Sequence, residues 1–137
     1  MARRRKLKEK IYELDIESLS HEGRGISHHD NKIIFTRGAL PGEKVIASRS
    51  QSRSKYEEAD MIEILKKSPD RIEAKCEVYG VCGGCSFQHL SSENQISIKE
   101  SWLKSAFMGQ AKSAPKKWLN PLQVDSWGYR RKARLGV

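Results

Sequence analysis

At 137 residues the chain suffices for one ordinary domain or two small ones and is too short for a large single core. With 37% hydrophobic and 31% charged residues it is polar for a compact domain without having the composition of a wholly disordered chain. Its 26 Lys+Arg against 17 Asp+Glu leave a formal charge of +9, the electrostatic footprint of a polyanion binder with nucleic acid as the leading partner. No stretch approaches the roughly 18 apolar residues of a membrane span, and the basic N-terminus leads into no apolar signal segment, so the chain is read as cytoplasmic with no membrane partner.

The cations cluster at Arg3-Arg4-Arg5-Lys6 and Lys8-Lys10, and again at Arg130-Arg131-Lys132 and Arg134. Residues 1–10 are almost all charged and are expected to form a flexible basic arm. From Ile11 the texture changes. Leu14, Ile16 and Ser18 alternate with Asp15, Glu17 and Leu19, the period of a half-buried strand, and Gly23-Arg24-Gly25 punctuates it. Lys32 to Thr36 predicts a second strand ending at Gly38, and after the Pro41-Gly42 turn Glu43 to Ser48 predicts a third. Ser48 to Lys55 is predicted as an exposed basic loop, and Tyr56 to Leu65 as a strand with Ile62 and Ile64 on one face. Short strands and turn signals at this spacing predict a mostly β fold, a small barrel or sandwich over residues 11–66.

Residues 67–110 are predicted as a Gly-rich irregular cysteine segment followed by one helix. Ser92-Glu93-Asn94-Gln95 has the spacing of a capping box. Ile98, Trp102, Leu103, Ala106 and Phe107 form an apolar stripe that predicts a core-facing side, with Gly109 as the stop. Residues 111–137 are predicted as a linker leading, from Trp127-Gly128-Tyr129, into the first strand of a further domain that the chain does not complete.

Three cysteines close together, in a chain read as cytoplasmic, point to metal or redox chemistry rather than to a disulfide framework. In Cys76-x5-Cys82-Gly83-Gly84-Cys85 two thiolates separated by two residues can grip one metal centre, and the glycines permit the tight backbone this needs. The spacing leaves open an iron–sulfur site, a Cys3His zinc site completed by His89, a redox dithiol and unliganded cysteines. Tyr129 followed by Arg130, Arg131, Lys132 and Arg134 joins an aromatic ring to four cations. That composition suits phosphate contacts and base stacking, and in strand geometry Arg130, Lys132 and Arg134 would share a face. The Arg49–Lys55 stretch, Phe35 and Tyr56 are further RNA-contact candidates.

The barrel-like segment, the Cys76-x5-Cys82-Gly83-Gly84-Cys85 motif and Gly128-Tyr129-Arg130-Arg131-Lys132-Ala133-Arg134-Leu135 occur in that order, and in this the chain resembles the 23S rRNA (uracil-5-)-methyltransferases of the RlmD (RumA) type. The resemblance implies a TRAM domain, an oligonucleotide-binding-type (OB-like) barrel that contacts RNA, over the stretch carrying Gly23, Gly25, Gly38, Pro41 and Gly42. It implies a [4Fe-4S] cluster held by Cys76, Cys82 and Cys85, with the fourth ligand beyond Val137. It also implies S-adenosylmethionine as methyl donor, 23S rRNA as partner and a monomer, with the nucleophilic cysteine, the carboxylate base and the cofactor pocket all outside the chain. A free-standing RNA-binding zinc module and an electron carrier are the rival readings.

Overall fold

The computed structural model describes residues 10–132 and Arg134. Of the expected basic arm only Lys10 is therefore described, and Ala133 and residues 135–137 of the expected terminal strand lie outside the described residues. The chain divides into two compact units, Met1–Ser91 and Ser92–Val137.

The first unit is a six-stranded sheet built from β1 (Ile11–Asp15), β2 (Ser18–Leu19), β3 (Arg24–His29), β4 (Lys32–Arg37), β5 (Lys44–Ser52) and β6 (Tyr56–Lys66). The strands are ordered β1-β5-β6-β4-β3-β2 and all pairs are antiparallel except β4–β6. The terminal strands of this order are consecutive in sequence, and the corner joining them curls the sheet. Ile16 N donates to Glu43 O beside β5, and Glu17 N donates to Ile26 O on β3, both at 2.9 Å. At this corner Gly25 is required, because a Cβ there would lie 2.8 Å from Ile16 Cγ2 and 3.1 Å from Ala39 O.

Alternation gives the curled sheet its inner face: Tyr12, Leu14 and Ile16, then Ile34, Val45, Ala47 and Ala59, with Met61 and Ile64 packed against them. In β6 the alternation breaks. Ala47 pairs with Met61 but Ile46 pairs with Glu63, so Ile62 is the extra residue of a bulge and faces solvent while Met61 and Ile64 turn inward. The expected pairing of Ile62 with Ile64 on one face is corrected accordingly. Two further corrections concern the strands. Residues 24–29 form β3, closed against β4 by Asp30-Asn31 with φ of 48° and 60°, the left-handed pair of a two-residue hairpin turn. The predicted loop from Ser48 to Lys55 is mostly strand, because β5 continues to Ser52 in register with β6 and only residues 53–55 remain as a turn.

The second unit contains α1 (Ser92–Ala106), which runs into a single π-helical turn over Phe107–Ala111. Glu93 in its first turn and Lys104 in its last complement the helix dipole. The helix ends at Lys112 in the left-handed conformation, its N–H donating to Phe107 O, and not at Gly109, which lies inside the π turn. Among the described residues the predicted core face is not buried: α1 has no buried residue, Leu103 is 50% exposed, and Phe107 meets Trp118 edge-on at 5.7 Å. The strand predicted from Trp127 is absent over residues 127–132. A strand needs a neighbour for its backbone groups, and the helix and its π turn are the only regular elements described in this unit.

At the end of the barrel where β6 begins, Glu57 is buried and turned inward. It accepts hydrogen bonds from the Tyr12 hydroxyl, from Ser52 Oγ at 2.7 Å, from Lys32 Nζ at 3.1 Å and from Arg49 Nη1 at 3.3 Å. Burial alone would raise its pKa, but the bonds from Tyr12, Ser52 and Lys32 outweigh it and hold the carboxyl at about 2 against an ordinary 4.5. The folded protein thus binds this proton more weakly than the unfolded chain does. The resulting stabilisation is complete above pH 4.5 and is lost as pH falls toward 2. Unfolding free energies from urea titrations between pH 7 and 2 are expected to fall across that window by on the order of 2–3 kcal/mol. Glu57→Gln is expected to be less stable at pH 7 and to have a shallower acid limb; acid limbs of equal steepness would refute the assignment.

Candidate nucleic-acid interface and cysteine segment

The cysteine segment falls in the same compact unit as the barrel, Met1–Ser91, rather than with the helix. The reason is a buried ion pair. Glu43, which opens β5, is 1% exposed and receives Arg71 in a two-pronged contact, Nε to Oε1 at 2.6 Å and Nη2 to Oε2 at 2.8 Å. Its remaining acceptor capacity takes Leu40 N at 2.8 Å and Ser68 N at 3.3 Å, while Arg71 Nη2 also reaches Gly38 O at 2.6 Å. Burial works to raise the Glu43 pKa; the Arg71 hydrogen bonds and the backbone donors prevail and keep it ionised.

From this anchor the chain leaves and returns. Arg71 forms a bridge with Leu90, Ile72 N donates to His89 O at 3.0 Å, and Leu90 is 2% exposed. Phe87 closes the loop onto the barrel by setting the Cζ end of its ring against Gly23, where a Cβ would be 2.8 Å from Cζ. Inside the loop, Tyr79 Oη donates to Ser86 O at 3.0 Å and is also bonded to His89 Nδ1. A phenol has one hydrogen, so His89 supplies the other and its Nε2 remains a buried acceptor with no partner among the described residues. Burial, followed by the Arg71 charge, lowers the His89 pKa to about 4 and keeps the ring neutral.

Cys82 and Cys85 are exposed, Cys76 is half-buried, and all three are free thiols. Cys76 N is held by Gln88 Oε1 at 3.2 Å, and the turn through Val78 places Cys82 N on Val78 O at 3.0 Å. Gly80 and Gly83 supply left-handed φ values of 84° and 74° between the thiols. The donor chemistry therefore suits a thiophilic centre. The arrangement is not pre-assembled, since no three His, Cys, Asp or Glu side chains converge into a metal-binding group among the described residues. His89 bonds Tyr79 through Nδ1, and among the described residues it forms no metal-binding group with the cysteines either.

A cleft of about 380 Å³ separates the cysteine loop from the barrel, with Gly23, Arg24, Arg37, Tyr79 and Cys85 among its lining residues. Its cations are already matched: Arg24 contacts Glu22 at 3.2 Å and Glu58 at 3.0 Å, and Arg37 contacts Asp60 at 3.4 Å. Arg130, Arg131, Lys132 and Arg134 are all exposed and outside any strand, so the shared face expected of Arg130, Lys132 and Arg134 is not formed; Arg130 instead lies 5.9 Å from the Tyr129 ring. Phe35 and Tyr56 are half-buried on the outer face of the barrel as an edge-to-face pair, 5.7 Å apart at 77°. Glu43, Glu57 and Arg71 escape sequence reasoning because an isolated Glu or Arg carries no sign that a distant partner will bury it.

Sequence comparison places these features in a known context. A family described as "TRAM domain" matches residues 5–62, which takes in β1 to β5 and most of β6. The chain is 63% identical over all 137 residues to a protein of Vesicomyosocius okutanii subsp. Calyptogena okutanii named 23S rRNA (uracil(1939)-C(5))-methyltransferase RlmD, covering 31% of that relative. Relatives of the same name from Alkalilimnicola ehrlichii and Alcanivorax borkumensis are 47% and 46% identical over 98% and 100% of the chain, which covers 30% and 31% of their lengths. The chain thus spans about 30% of the curated relatives it matches.

Removing one member of the Glu43–Arg71 pair strands the other. Arg71→Met is expected to cost about 3–5 kcal/mol, because a fully buried carboxylate loses its counter-charge. It should also open residues 72–90 to limited proteolysis before the barrel unfolds. The double variant Glu43→Gln/Arg71→Met is expected to recover part of that loss in urea titrations. If Arg71→Met matches the parent in both assays, the pair does not anchor the segment.

Proposed function

We propose that this chain, 63% identical along its whole length to a relative named 23S rRNA (uracil(1939)-C(5))-methyltransferase RlmD, is the RNA-binding and cysteine-bearing part of an rRNA methyltransferase. In the whole protein a methyl group passes from S-adenosylmethionine to C5 of a uracil in 23S rRNA. The observation that carries the reading is 63% identity along the whole of this chain to a relative named for that reaction, of which the chain covers 31%, on a barrel that matches the TRAM domain. No residue of this chain is assigned as nucleophile, base or cofactor ligand. Its own tasks are to hold RNA and to position the cysteine segment against the barrel through Arg71 and Phe87.

Cys76, Cys82 and Cys85 supply thiolates to a [4Fe-4S] cluster, for which three reduced thiols on a glycine-rich loop are the chemically suited donors. When bound, such a cluster would tie together a loop that has little apolar core of its own. Anaerobic reconstitution of the chain with iron, sulfide and an external thiol in place of the fourth ligand is expected to give a brown protein containing acid-labile sulfide. Cys82→Ser should abolish the colour. A colourless protein that takes up zinc in preference would overturn this assignment.

Arg130, Arg131, Lys132 and Arg134, exposed cations beside Tyr129, contribute phosphate contacts to the same RNA. Replacing Arg130, Lys132 and Arg134 with Ala is expected to flatten the log–log salt dependence of RNA binding by about 2 units, at about 0.7 per phosphate on a single strand. An unchanged slope in titrations at several salt concentrations would remove these residues from the interface.

A further inference from the structure

The two ends of the barrel differ in how their charges are paired. At one end lie the β3–β4 turn, the β5–β6 turn and the strand residues beside them. There the register gathers Lys10, Lys32, Arg49, Arg53 and Lys55. Arg49 N donates to Lys10 O at 2.9 Å, His29 stands opposite Lys32, Arg53 N donates to Tyr56 O at 2.9 Å, and Ile33 N reaches Lys55 O at 3.4 Å. Among the described residues of this end the acids are Asp30, the buried Glu57, and Glu58, which is paired with Arg24 at 3.0 Å. At the other end Arg24 is paired with Glu22, Lys44 with Glu13 at 2.7 Å and Arg71 with Glu43, leaving Lys66 and Lys67 exposed at the end of β6, whereas at the first end Asp30 meets Lys10 at 3.5 Å and Glu57 meets both Lys32 and Arg49, leaving Arg53 and Lys55.

The surplus cations are organised. Lys32 Nζ is pinned between Glu57 Oε1 at 3.1 Å and Arg53 O at 3.2 Å, so little side-chain freedom remains to be lost on binding an anion. Arg53, Ser54 and Lys55 project into solvent beyond it. Next in sequence stands Tyr56, whose half-exposed ring meets Phe35. Fixed cations beside an accessible aromatic pair are the two components with which proteins hold unpaired strands: charge for the backbone and a ring for a base.

We infer that this end of the barrel is a phosphodiester-binding surface for single-stranded RNA, with Arg53 and Lys55 as its outer contacts and Lys32 as its fixed inner one. The inference rests on the reading of the chain as RNA-binding and adds where on the barrel the strand lies. It is tested with the 137-residue chain and a labelled single-stranded RNA of about 12 nucleotides, followed by fluorescence anisotropy at several salt concentrations. Arg53→Ala/Lys55→Ala is expected to weaken binding and to reduce the log–log salt slope by about 1.4, two phosphate contacts at about 0.7 each. Lys66→Ala/Lys67→Ala, at the far end of β6, should retain the parent slope. Both pairs are exposed, and coincident thermal melts with the parent confirm that the fold is intact. An unchanged slope in the first variant, an equal loss in the second, or equal affinity for a duplex of the same sequence overturns the inference while leaving RNA binding in place. Absence of binding by the parent chain overturns the RNA-binding reading itself.

Discussion

The contact between Glu43 and Arg71 joins two parts of the first unit that share no strand. Its carboxylate is fully enclosed and its guanidinium nearly so, with side-chain exposures of 0% and 12%. An ionised group in such a place is tolerable only when every lone pair is answered, and here the answers come from Arg71, Leu40 N and Ser68 N. Because Arg71 also holds Gly38 O and bridges to Leu90, the turn before β5, the exit from β6 and the return of the cysteine loop are placed by one pair of charges. His89 remains neutral partly for the same reason, since a second positive charge beside Arg71 is disfavoured.

The barrel's apolar core is modest, with alanines at three of its buried positions, Ala39, Ala47 and Ala59. Short side chains let the curled sheet close tightly, and they leave the two ends to be finished by polar groups. At one end Glu43 draws in the cysteine segment. At the other, Glu57 draws in Tyr12, Ser52, Lys32 and Arg49. The two buried carboxylates have opposite consequences for the surface: Glu43 consumes the cation it meets, whereas Glu57 organises more cations than it neutralises.

The functional parts are thereby separated by position. The cysteines lie on a loop held at the end of the barrel where Arg71 meets Glu43, with the Arg24 and Arg37 cleft between them and the sheet. Arg53 and Lys55 lie at the opposite end, and the other basic stretch, Arg130 to Arg134, belongs to the second unit.

The sequence by itself determined what is local. Leu14 and Ile16, the Ile34 strand and the Pro41-Gly42 turn declared a small β fold through alternation and turn chemistry, and the ordered combination of barrel, Cys76-x5-Cys82-Gly-Gly-Cys85 and the Tyr129-Arg130 stretch carried the family resemblance. Asp30-Asn31 also carried a legible hairpin signal, since both residues tolerate left-handed backbone, and with it β3 was within reach. What only the tertiary structure decided is what depends on a partner far along the chain. The bulge that turns Ile62 outward is set by β5, the strand character of Ser48 to Ser52 by pairing with β6, and the burial of Glu43 and Glu57 by Arg71 and Tyr12. The helix stripe from Ile98 to Phe107 and the stretch from Trp127 illustrate the converse: periodicity and composition announce a face or a strand, but α1 has no buried residue and the described residues 127–132 form no strand.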